Sequence, residues 1–237
     1  MKRKLAGSLT LSLMLVMSAS GAKHPSNKAG TDADKQIRIR VHNYAQVDSR
    51  DLVSAEGIAD GILHEAGVEA VWIECSAGDL PAKDAACDTP YGPTELVLNL
   101  LPKSMSARFQ LGADRFGVAL ESEDGGYGFV AWIFSDLVKE AAAKEQLTRQ
   151  VLLGTVISHE LGHLLLSTNS HSPFGLMRAK WSHSELLAVE QRTMYFSSSE
   201  SRRIQQGLRG RRQSAADRTQ SASVSLLNAA GEIDVAR

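Results

Sequence analysis

The segment from Arg149 to about Leu166 constrains this chain more than any other. Val151, Leu152, Leu153, Val156, Ile157, Leu161, Leu164 and Leu165 put apolar side chains nearly all round a helix that Thr148 is placed to cap. Such a helix has to be buried, and a core must form around it. Yet it carries His159, Glu160 and His163. Two imidazoles and a carboxyl in an apolar interior are costly unless something compensates them.

A metal ion compensates them. Histidines at i and i+4 are about 6 Å apart along a helix axis and about 40° apart around it, so both reach one ion from one face. Zinc takes nitrogen donors in tetrahedral geometry, and a catalytic site keeps one position for water. Glu160, next to the first histidine, falls beside that water and can accept its proton as the metal makes it acidic. This is H-E-x-x-H, with Zn2+ as the expected cofactor. A third ligand is needed. His171 follows the polar run Ser167-Thr168-Asn169-Ser170, which should end the helix and reverse the chain, Asn169 tolerating the left-handed backbone a reversal needs. Glu185, Glu190 and His183 stand at other workable separations, and a carboxylate also suits zinc.

Beyond His171 comes Gly175-Leu176-Met177. His159-Glu160-x-x-His163, a nearby third histidine and then a methionine resemble the metzincin clan of zinc metalloproteases. The resemblance implies a methionine turn beneath the metal at Met177, and with its compact loop it favours His171 as third ligand. It covers roughly residues 36–181, with motif-level specificity at 159–177. The clan pattern is H-E-x-x-H-x-x-G-x-x-H; here Leu166 stands at the glycine, Asn169 at the third histidine, and His171 comes two residues late. The tyrosine the clan often has two residues after its turn methionine is Ala179 here.

The rest of the chain reads as a mixed α/β domain. Ile37 to Val41, Val68 to Glu74, Glu95 to Leu100, Phe116 to Leu120 and Tyr127 to Phe134 are expected strands, the last two joined by a turn at Glu123-Asp124-Gly125-Gly126. Helices are expected from Ser49, as cap, to about Ala66, from Asp136 to Lys144 capped by Ser135, and over 184–192 and 197–208. The fold expected is a twisted sheet of about five strands packed on the early helix and the zinc-binding helix. Residues 36–209 would form this domain, 23–35 a flexible lead-in and 210–237 a flexible basic tail. The Phe116 to Leu120 strand is a candidate edge for pairing with an extended peptide. Trp72, Trp132 and Trp181 are expected to fill core or cover the cleft, and His24, His42 and His64 to be ordinary surface or satisfied residues.

Residues 1–22 look like a secretory signal peptide. Lys2, Arg3 and Lys4 precede an apolar run from Leu5 to Met17, and small residues end at Ala22. That run is short of the roughly 18 to 20 residues that span a bilayer. A secreted or periplasmic protein is the expectation, and export makes a Cys75–Cys87 disulfide the natural pairing.

The formal net charge of -1 hides an acidic body, with 16 basic and 24 acidic residues over 23–200, followed by seven Arg against three acids over 201–237. Such a balance, with 5% aromatic residues, gives no case for a nucleic-acid partner. A peptide or protein substrate is expected, hydrolysed by zinc-activated water with Glu160 as general base. The alternatives are a zinc-binding envelope protein without peptidase activity, or a zinc hydrolase of cell-wall peptide amides. Glu160 favours an enzyme, because a purely structural site has no use for it.

Overall fold

The computed structural model describes residues 32–75, 85–109, 115–120 and 127–231. The expected signal segment, most of the lead-in and the 123–126 turn lie outside these residues. Five strands, β1 (Gln36–Asn43), β2 (Glu69–Cys75), β3 (Glu95–Leu101), β4 (Gly117–Leu120) and β5 (Val130–Phe134), form one sheet in the order β2-β1-β3-β5-β4. All neighbours are parallel except β4, which runs antiparallel to β5 at the sheet edge.

The parallel pairing of β1 with β2 requires a crossover, and α1 (Ser49–Glu65) supplies it. Asp48 caps the helix in place of the expected Ser49: its carboxylate accepts the Arg50 and Asp51 amides. A carboxylate caps as well as a hydroxyl, and one residue's shift is beyond what side-chain type alone decides. After β5 come α2 (Ser135–Glu145) and α3 (Arg149–Leu166). Ser135 is the first residue of α2, not its cap. Thr148 does sit at the N-cap of α3, but its hydroxyl and amide bond the Glu190 carboxylate at 2.6 and 2.7 Å. The chain closes with α4 (His183–Glu190) and α5 (Ser198–Gly231).

Side chains alternate across the strands, so one face of β1 presents Ile37, Ile39 and Val41, all buried against α1 and α3. In β3 every residue is buried, because both faces of the sheet centre are covered. On the face away from α3, fully buried Arg40 donates to Glu95 Oε1 at 2.7 Å, to the Cys87 carbonyl at 2.9 Å and to the Thr89 carbonyl at 2.7 Å. Tyr91 lies over its guanidinium. The Cys75–Cys87 disulfide joins the end of β2 to the short 3-10 turn Ala85–Asp88 that Arg40 holds.

The expected flexible tail from 210 is instead helical to Gly231. Its Ala, Arg and Gln residues are good helix formers, and a helix can form without an apolar stripe. Arg211 is buried and donates to the carbonyls of Leu164 and Gly128. Among the described residues no helix is long and apolar enough to cross a membrane.

Candidate metal centre

Every residue of α3 from Val151 to Leu166 is buried, including His159, Glu160 and His163 at 8%, 6% and 6% exposure. The helix ends at Ser167, whose left-handed backbone (φ 50°) makes the reversal expected of Asn169. The returning loop brings the exposed His171 over the helix. One ligand nitrogen from each of His159, His163 and His171 lies within 4.8 Å of the others, the one group of three or more potential metal ligands among the described residues.

The histidines are oriented from behind. His159 Nδ1 lies 2.8 Å from the Leu176 carbonyl, and His163 Nδ1 lies 2.8 Å from the Thr168 carbonyl. A carbonyl only accepts, so both Nδ1 atoms carry the proton and both Nε2 atoms present lone pairs. Those two Nε2 atoms are 3.1 Å apart. Ligand nitrogens about 2.0–2.1 Å from a tetrahedral zinc are separated by about 3.3 Å. Two buried lone pairs converging at nearly that spacing fit a cation between them, and the donor set suits zinc. Burial, then the neighbouring His163, pushes the His159 pKa down to about 4, so its imidazole is neutral and able to ligate at neutral pH.

Gly175 (φ 77°) starts the turn that carries Leu176 and Met177. Met177 is buried against α3 at Gly162, where a Cβ would come within 2.6 Å of its Sδ. The methionine thus packs under the helix turn bearing the ligands. Trp181 donates Nε1 to the same Leu176 carbonyl at 3.2 Å, and its ring stands edge-on to His159 with centroids 6.0 Å apart. It covers the site, whereas Trp72 and Trp132 are half-buried on the sheet. His64 is exposed beside Glu69, and His42 stacks on Tyr44; neither belongs to the cluster.

The other candidate ligands are engaged elsewhere. Glu185 accepts from Gly175 N, Arg178 and Ser182, contacts that hold its pKa down to about 2 against a burial effect of opposite sign. Glu190 bonds Thr148, and His183 begins α4 away from the cluster.

Glu160 has a different environment. Burial pushes its pKa up to about 8, and the charge of Arg115 acts the other way. Its side chain lies directly under β4: a Cβ at Gly117 would be 2.7 Å from Glu160 Oε1. Only glycine lets the edge strand pass this close.

Several contributors escape sequence reading. The Leu176 and Thr168 carbonyls carry no residue signal at all. Glu200, on α5, accepts from Ser172 Oγ at 2.5 Å and from Ser197 N at 2.7 Å, and so ties the residue after His171 to the last helix. The Ser-x-x-Glu spacing at Ser197–Glu200 signals a capping box, but nothing in it points to Ser172.

No protein-family model matches the chain, and no curated protein matches it. Among solved structures, the crystal structure of archaemetzincin from Methanopyrus kandleri is similar with a TM-score of 0.43 and 16% identity, over 74% of this chain and 97% of that one.

Proposed function

We propose that this chain is an exported zinc-dependent metallopeptidase. The observation that carries the reading is the convergence of two backbone-oriented imidazoles and His171 on one point, with the buried carboxyl of Glu160 on the same helix turn. His159, His163 and His171 would hold the ion. When bound, zinc supplies Lewis-acid polarisation of a carbonyl and acidification of a water. Its charge also favours the ionised form of Glu160, opposing the burial that raises its pKa. Glu160 then takes a proton from the attacking water and delivers it to the leaving amine. Met177 packs beneath the ligand-bearing turn, and Trp181 restrains His159 through their shared carbonyl. The disulfide supports an oxidising compartment, in keeping with the N-terminal signal pattern.

The test is metal content and peptide hydrolysis by the purified mature chain. One zinc per chain, cleavage abolished by chelation and restored by zinc, and weaker metal binding in His171→Ala are the expected results. A wild-type chain that takes up no zinc sinks the reading.

A further inference from the structure

The site has one cation at its mouth that the hydrolytic steps do not use. Phe116 lies just ahead of β4, its carbonyl accepting from Phe134 N at 2.8 Å. A Cβ at Gly117 would meet Glu160, and Arg115 precedes Gly117 by two residues, about 7 Å along an extended chain. The side chain is exposed and makes no hydrogen bond or ion pair among the described residues. Its charge is nevertheless felt at both Glu160 and His171. A guanidinium close enough to act on Glu160 and His171, with no carboxylate hydrogen-bonded to it among the described residues, is arranged to receive one from outside. Its planar fork of donors matches a carboxylate in two parallel bonds.

We propose that Arg115 is a specificity residue that binds a substrate carboxylate next to the scissile bond. The carboxylate is either an acidic side chain or the free C-terminus of the peptide. The proposal rests on the peptidase reading, and it makes the enzyme selective for acidic or terminal sites rather than a general endopeptidase. Gly117 contributes by letting the chain that carries Arg115 pass against Glu160.

Zinc-loaded Glu160→Gln protein, held from turnover, is titrated calorimetrically with matched blocked peptides that differ only in Glu against Gln, or only in a free C-terminal carboxylate against a C-terminal amide. One carboxylate form is expected to bind about ten-fold more tightly than its neutral match, a charge-assisted bond's worth. The pair that discriminates identifies the source. Adding Arg115→Gln should erase the difference while leaving the neutral peptides unchanged, and Arg115→Glu should turn the preference toward a Lys-containing peptide. The metal-free protein is titrated in parallel, so that attraction of carboxylates to zinc itself is separated from attraction to Arg115. A preference that survives Arg115→Gln, or no preference in either pair, overturns the proposal. Wild-type protein is assayed on the same peptides: cleavage without carboxylate preference rejects Arg115 and keeps the peptidase, whereas Arg115-dependent binding without cleavage rejects the peptidase and keeps Arg115.

Discussion

The two faces of the sheet each bury charge, and they do so in opposite ways. On one face Arg40 and Glu95 close on themselves: the guanidinium donates to Glu95, Cys87 and Thr89, and the second Glu95 oxygen accepts the Gly92 amide at 2.8 Å. On the other, the polar atoms of α3 converge without satisfying one another, two imidazole lone pairs meeting at 3.1 Å beside a buried carboxyl that has no hydrogen-bond donor among the described residues. A closed network is complete as it stands and anchors a loop. An open one is complete only with a ligand. What separates the two is the convergence of several unmet groups on one point, not burial as such.

The largest expected effect would sharpen the contrast. Glu160→Gln should lower peptide hydrolysis on the order of 10^3-fold while zinc content stays at the wild-type level. Loss of zinc together with activity would mean that Glu160 supports the metal rather than the chemistry.

Breaking the closed network comes next. Arg40→Ala removes the main partner of buried Glu95, leaving it the Gly92 amide and the half-exposed Arg38 4.0 Å away, which should cost about 3–5 kcal/mol in urea unfolding with no change in zinc affinity. Arg40→Met combined with Glu95→Leu should recover most of that stability. If the double variant is as unstable as the single one, the network is not self-contained.

A third test uses pH. Glu56 on α1 is 7% exposed, one of its oxygens lacks a partner among the described residues, and burial, then the charge of Glu74, pushes its pKa up to about 7. The folded state keeps this proton longer than the unfolded chain, so the stability it contributes is full below pH 4.5 and is lost as pH rises to about 7. That loss is at most about 3 kcal/mol, and Glu56→Gln should remove it from a pH series of unfolding curves. Parallel pH dependence in the variant and the wild type would assign the slope to other groups.

The smallest effect concerns the link from α5 to the third histidine. Glu200→Ala frees Ser172 and should weaken zinc binding about ten-fold. The effect should vanish in a His171→Ala background, since it acts through His171. An equal loss with and without His171 would make Glu200 a general stabiliser.

The helix α3 with His159, Glu160 and His163 is legible in the sequence because two regular signals coincide there, apolar residues nearly all round and histidines at i and i+4. The strands are legible from alternation, and the mixed α/β class follows from their order. His171 is only half legible: the sequence offers it beside Glu185, Glu190 and His183, and their separation depends on long-range bonds such as that from Thr148 to Glu190. The Gly117 approach to Glu160 and the carbonyls of Leu176 and Thr168 are set by tertiary packing, to which no local pattern corresponds. The helix beyond 209 is missed for a different reason: Arg211 replaces an apolar anchor with a cation on the Leu164 carbonyl in the last turn of α3.

That arginine has a consequence for the order in which the molecule is made. A chain emerging from its N-terminus presents the whole of α3 long before residue 211 exists, with the Leu164 carbonyl still lacking its guanidinium and the His171 loop still lacking Glu200. Local folding of α3 and its loop is therefore not enough: α5 has to dock before the ligand-bearing segment reaches its final arrangement.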